Sequence, residues 1–191
     1  MEELSKRDIE TLFGQLNEEL GRRGVTGEVY LVGGAVMCLV FNLRESTKDV
    51  DAFFRPAREV REAARSIALD YGVSGDWLND AVKGYLGEHP DFRPYLDLPH
   101  LRIMTAAPEY LLAMKCLAMR IGEESRDAED VRFLLRYLNF TESAAALEAV
   151  GRYYPLERVP QRTLYALEEM LADPDSRSGD SGNGPAEHDL S

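Results

Sequence analysis

The chain has 191 residues and a formal net charge of −12, from 34 Asp plus Glu against 22 Lys plus Arg. That length suits one ordinary domain with a small helical appendage, and an apolar content of 45% is enough for a packed core. No segment has the apolar length that crosses a bilayer, and the acidic surface repels polyanions unless a local basic patch opposes it.

In chain order, Met1-Glu2-Glu3-Leu4-Ser5-Lys6 lacks the basic-then-apolar layout of a signal peptide. Ser5 to Leu20 reads as an amphipathic helix. Ile9, Leu12, Phe13, Leu16 and Leu20 keep helical spacing, Ser5 and Asp8 suit its cap, and Gly21 and Gly24 end it. Glu28 to Val32 reads as a strand, Ala35 to Leu43 as a short buried helix and Asp49 to Phe54 as a second strand. Pro56 suits the first turn of a helix to about Tyr71, with Val60, Ala64, Ile67 and Ala68 inward.

Asp76 is placed to cap a helix holding Trp77, Leu78, Ala81 and Val82. After it, Gly84, Gly87, Pro90, Pro94 and Pro99 predict loop. Leu101 to Met104 is a short strand, and Pro108 starts an apolar helix to about Ile121. A further helix is expected from Ser125 to Leu138, a short Ala-rich one capped by Thr141, and a last one from Pro160 to Leu171. From Asp173 onward the chain is rich in Ser, Gly, Pro and Asp, with five acids and one base, and reads as a disordered acidic tail. The expected class is α/β (α+β): a core over 1–105 with a small mixed sheet, a helical part over 106–172, and the tail over 173–191. Cys38 and Cys116 lie in apolar stretches and read as core residues, and His89, His100 and His188 have no ligand spacing. A reduced, cytoplasmic protein is expected.

The chemistry concentrates in Val29-Tyr30-Leu31-Val32-Gly33-Gly34 and in Arg44-Glu45-Ser46-Thr47-Lys48-Asp49-Val50-Asp51. A strand running into Gly33 and Gly34 lets backbone approach a phosphate closely, although a lone Gly-Gly is usually just a tight turn. Period-two alternation puts Asp49 and Asp51 on one strand face, and with Val50, Ala52, Phe53 and Phe54 around them those carboxylates need partners. A divalent metal carrying phosphate oxygens would serve, which points to phosphoryl-transfer chemistry.

Lys115 is the single charged residue between Tyr110 and Arg120, with Leu111, Leu112, Ala118 and Met119 at helical spacing. A functional charge is favoured there over a lysine whose stem merely snorkels to water. Asp127 and Asp130 near a helix start are explained by capping and the helix dipole about as well as by a functional role. Arg44, Thr47 and Lys48 either touch phosphates or occupy an exposed loop. Trp77, followed by Leu-Asn-Asp, reads as a packing anchor rather than a stacking platform.

Strand, Gly-Gly, short helix and Asp-x-Asp together resemble the nucleotidyltransferase superfamily that includes DNA polymerase β. Tyr30 to Val36 also looks like the opening motif of CCA-adding enzymes, but Met37-Cys38 replaces their Arg-Asp and the chain is too short for their later domains. A fuller likeness takes in Gly33-Gly34, Arg44-x-x-Thr47-Lys48-Asp49-Val50-Asp51, Trp77-Leu78-Asn79-Asp80, Pro108 through Lys115, and Arg126-Asp127-x-x-Asp130. It resembles the small nucleotidyltransferases of the AbiEii/MenT toxin type and the related DUF6036 proteins, over roughly residues 28 to 138.

The resemblance implies a polymerase-β-like fold and an NTP-dependent, pyrophosphate-releasing reaction at a magnesium site, with two metals expected. It makes Asp49 and Asp51 the metal ligands and catalytic residues, joined by Lys115 and Asp127, with Asp130 structural. Gly33, Gly34, Thr47, Arg44 and Lys48 would hold the nucleotide. The implied acceptor is the 3′ end of tRNA and the implied partner an antitoxin, with no role for a membrane. Two alternatives stay open: transfer to a protein or small molecule, which the acidic surface mildly favours, or an inactive relative that only binds a nucleotide or a partner. The third strand carboxylate common in polymerase-β-type sites has no counterpart in Leu101-Arg102-Ile103-Met104, so the general base is unassigned at this level.

Overall fold

The structure is a computed structural model that describes residues 3–119 and 126–172. The expected acidic tail over 173–191 lies outside those residues, as do Ile121 and Ser125. Strand β1 (Leu4–Ser5) leads into helix α1 (Lys6–Arg22), followed by β2 (Gly27–Leu31), α2 (Gly33–Leu39), β3 (Ser46–Thr47), β4 (Val50–Arg55) and α3 (Ala57–Tyr71). Then come β5 (Leu78–Asn79), a 3-10 turn (Ala81–Tyr85), β6 (Phe92–Leu98) and β7 (Leu101–Ala106). The rest of the described chain is helical: α4 (Pro108–Ala118), α5 (Asp127–Tyr137), α6 (Ser143–Gly151), a short 3-10 turn and α7 (Gln161–Ala172). This is the expected α/β fold, with a mixed sheet followed by helices.

Five strands form the main sheet in the order β5-β4-β2-β7-β6. The central strand β2 runs antiparallel to β4 and parallel to β7. Because strand side chains alternate, Val29, Leu31, Val50, Ala52, Leu101 and Ile103 are buried in the main core, while Tyr30 and Phe53 take the opposite parity. Helices α1 and α3 pack on each other and on β7 and β4 respectively. Helix α1 contributes Ile9, Leu12, Phe13, Leu16 and Leu20, all buried, and opens with the expected capping box between Ser5 and Asp8. Aromatic contacts cover the other parity: Phe92 meets Tyr30 at 5.1 Å, Phe53 at 6.3 Å and Tyr110 of α4 at 5.6 Å.

Several local expectations change. Helix α2 stops at Leu39 rather than Leu43, and the chain turns through Asn42 in the left-handed region at φ 50°. Pro56 caps α3 instead of occupying its first turn, and Glu142 rather than Thr141 stands at the N-cap of α6. The helix expected after Asp76 is absent. The Val50 amide donates to the Trp77 carbonyl at 2.7 Å and Leu78–Asn79 runs parallel to β4, so this segment is drawn onto the sheet edge. Trp77 is fully buried, donates its indole N–H to the Ala64 carbonyl and contacts Phe13. It is the packing anchor the sequence suggests. The stretch read as loop before Pro99 contains β6, an edge strand whose register slips between Pro94 and Leu96. An edge position and a bulge are where a sheet accepts proline.

Candidate active site

Antiparallel pairing of β2 with β4 brings the end of β2 beside the start of β4, so the glycine turn and the carboxylates meet at one end of the sheet. The Val32 amide donates to the Asp51 carbonyl at 3.0 Å and fixes that approach. Gly33 has a φ of 63°, and a Cβ there would stand 3.1 Å from Asp51 Oδ2. A Cβ on Gly34 would stand 3.0 Å from Thr47 Oγ1 and 3.1 Å from an Arg44 guanidinium nitrogen. Glycine is favoured at Gly33 by its left-handed backbone, and a side chain at either position would crowd the groups of the site. No side chain caps the first turn of α2.

These groups line a cleft of about 850 Å³. All nine residues singled out from the sequence line it: Gly33, Gly34, Arg44, Thr47, Lys48, Asp49, Asp51, Lys115 and Asp127. Asp49 lies just before β4 rather than within it, so the shared strand face is only partly realised. Its Oδ2 accepts from the Asn79 side-chain amide at 3.3 Å, and its carbonyl accepts from the buried Thr47 hydroxyl at 3.1 Å. The hydroxyl thereby stiffens the loop that delivers the carboxylates. Short strand β3, which contains Thr47, is held in turn by pairing with β1, and Ser46 donates its hydroxyl to Glu3. That hydrogen bond, helped by the charges of Arg126, Lys48 and Arg44, holds the Glu3 carboxyl below its usual range.

The opposite wall belongs to α4 and α5. Lys115 Nζ lies 3.3 Å from Asp127 Oδ1 and 2.6 Å from Asp130 Oδ2, and its side chain is only 11% exposed. Lys115 does not snorkel. Asp130 is completely buried and also pairs with Arg44, tying α5 to the loop after α2. The structural role read for Asp130 thus takes a definite form: it is the shared anion of two cleft cations. Sequence reasoning did not single out Glu3, Tyr85 or Arg162, which also line the cleft, as does Arg126 of the Arg-Asp-x-x-Asp motif. No motif marks Glu3, Tyr85 or Arg162, and only the packing of their segments, at the N-terminus, the 3-10 turn and α7, brings them in.

Compared with known protein families, residues 42–181 match the family described as nucleotidyl transferase AbiEii toxin, type IV toxin–antitoxin system. The chain belongs to the AbiEii nucleotidyltransferase toxin family. It is a nucleotidyltransferase. The matched span starts after Gly33 and Gly34, yet the fold returns both to the same cleft as the matched Asp49, Asp51, Lys115 and Asp127. One solved structure, of an antigenic nucleotidyltransferase-like protein from Paracoccidioides brasiliensis, is similar with a TM-score of 0.44 and 17% identity, covering 86% of this chain and 95% of that one. No curated protein matches the chain.

Among the described residues no group of three or more His, Cys, Asp or Glu side chains is placed to hold a metal ion by itself. Strand β7 contributes no acid, and the β5 residue in register with Asp51 is an amide, Asn79. Two carboxylates fit a cation that arrives with its phosphates, because magnesium is commonly held by one or two carboxylates plus substrate oxygens and water. Among the described residues no helix is long and apolar enough to cross a membrane.

Proposed function

We propose that this AbiEii-family chain transfers a nucleoside monophosphate from an NTP to the 3′ hydroxyl of a tRNA, and that an antitoxin partner restrains it. The observation that carries the reading is the sorting of charge across one cleft. Asp49 and Asp51 stand on one side against the Gly33-Gly34 turn, and Lys115 with Asp127 stands on the other. Five cationic residues line the cleft against four acids, whereas the whole chain carries −12. The cleft lining is therefore near charge balance in an acidic protein, so a polyanionic acceptor meets less repulsion there than elsewhere on the surface.

In this reading Asp49 and Asp51 would hold magnesium, which supplies Lewis-acid charge at the phosphates. Gly33 and Gly34 leave room for the triphosphate, while Arg44, Thr47 and Lys48 orient it. The acceptor oxygen attacks the α-phosphorus in line, the bond to the bridging oxygen breaks and pyrophosphate leaves. Lys115 offsets the charge that develops on the phosphoryl oxygens. Asp127 is the carboxylate assigned to receive the hydroxyl proton, since neither β7 nor β5 offers one beside Asp51.

The test incubates the full chain with magnesium, each labelled NTP, and total tRNA or cell extract. Label on RNA that disappears with Asp49→Asn and Lys115→Met is the expected result. Label on protein or on a small molecule replaces the acceptor, and no label on any fraction overturns the reaction.

A further inference from the structure

The cleft is bipolar. Its phosphate end is glycine, hydroxyl, carboxylate and cation, while part of its lining is apolar: Val82 and Tyr85 from the 3-10 turn, with Met114 and Leu117 from α4 on either side of Lys115 in sequence. A nucleoside triphosphate has the same division, and ligand sites fix such molecules with a few polar groups set against an apolar slot. Among the described residues lining the cleft, Tyr85 is the one aromatic, and 41% of it is exposed.

The segment bearing Tyr85 is held from below by two buried tyrosines. The Tyr154 hydroxyl donates to the Tyr85 carbonyl, and the Gly87 amide donates to the Tyr110 hydroxyl at 3.1 Å. Tyr110 and Tyr154 are 0% and 1% exposed and stack on each other with centroids 6.3 Å apart. Burial, then the contact with Tyr110, pushes the Tyr154 phenol well up, so it remains a donor throughout the physiological range. A Cβ on Gly87 would come within 3.1 Å of the Tyr153 carbonyl, so the chain passes this point in close contact with the residues before α7. Tyr85 therefore projects from a backbone fixed in advance, although its side chain is left partly uncovered. A preorganised, half-exposed ring in a cleft is suited to stacking, because little ordering cost is left for the bound state.

We propose that Tyr85 is the stacking platform for the nucleobase of the incoming NTP, with Val82 and Met114 completing an apolar base slot. Stacking is tolerant of sequence because every base has a π-face, so this slot favours purines by area rather than by hydrogen-bond readout. The inference rests on the NTP being the substrate of this cleft.

The test measures equilibrium binding of the four NTPs and of inorganic tripolyphosphate, which has the charge but no base, to the full chain with magnesium. The wild type is expected to prefer NTP to tripolyphosphate. Tyr85→Ala is expected to weaken NTP binding roughly 5- to 150-fold and purine NTPs most, with tripolyphosphate unchanged. Tyr85→Phe is expected to stay within about twofold of wild type, since the ring and not the hydroxyl stacks. Equal losses for NTP and tripolyphosphate in Tyr85→Ala overturn the platform, as does an unchanged NTP affinity, even if the affinity for tRNA falls. A wild type that binds neither ligand overturns the proposed function, whereas a wild type that binds NTP indifferently to Tyr85 overturns only this inference.

Discussion

Asp130→Asn isolates the charge of one buried atom pair. Asp130 is 0% exposed and faces two cations, Lys115 at 2.6 Å and Arg44, whose side chains are 11% and 13% exposed. The amide keeps the volume and one acceptor, so the loss is electrostatic rather than a cavity. Removing one partner of a buried ion pair costs about 3–5 kcal/mol, because the remaining charge is left buried without compensation. Here Lys115 retains Asp127 at 3.3 Å and Arg44 reaches the cleft, which places the expected loss near the lower end, about 3 kcal/mol. For a domain of this size that is a fall in Tm of about 6–12 °C. Urea unfolding of the full chain at neutral pH measures it directly. Adding Lys115→Met should then recover part of the loss, since it removes one of the stranded cations. A cost below about 1 kcal/mol for Asp130→Asn would refute the argument, because it would mean that neither cation depends on that carboxylate.

Gly33→Ala forces a side chain into the left-handed region, at roughly 1–2 kcal/mol, and sets its Cβ against Asp51. Nucleotidyl transfer should fall about 10- to 100-fold from the displaced carboxylate, read as initial rates on folded protein. Ser5→Ala removes the capping hydroxyl of α1 and should cost about 1 kcal/mol in urea unfolding. Burial pushes the Cys116 thiol up to about 12 from 9.0, and burial with the Glu10 hydrogen bond pushes the Tyr95 phenol up to about 12 from 10.0. Both groups keep protons in the native state that the unfolded chain releases, so their contribution is full below about pH 9 and is lost as pH rises toward 12. The urea midpoint should therefore drop between pH 8 and pH 10.5, and a flat profile would exclude the linkage.

The parts of the fold that could be read in advance are those where one residue pattern dominates. Helix α1 has five buried apolar residues at helical spacing and a capping box, and β2 and β4 have buried residues at alternate positions. Strand β6 escaped because it is an edge: its residues are half-exposed, Pro94 lies within it, and no alternation survives. Strand β5 escaped for a different reason. Trp77, Leu78, Ala81 and Val82 are spaced as a helix would space them, and only the β4 backbone beside them decides otherwise. The same division runs through the cleft. Gly33, Gly34, Asp49 and Asp51 carry a local signal, and Lys115 stands out as a lone charge in an apolar run. Tyr85 and Glu3 are ordinary residues in sequence, brought to the cleft by contacts with residues far along the chain.

The antiparallel contact of β2 and β4 has a consequence for how the coding sequence can change. Leu31 faces Ala52 across the ladder, so the approach of Gly33 to Asp51 depends on register and not on the length of chain between them. Extra residues inserted near Glu45 would leave that ladder intact, although they would separate Arg44 from β3. Deleting Ala52 alone would shift the residues before it by one position in β4, carrying Asp51 to a core position and presenting Val50 to the cleft. For the register of the sheet, the gene should tolerate such an insertion far better than a one-codon deletion a few positions away.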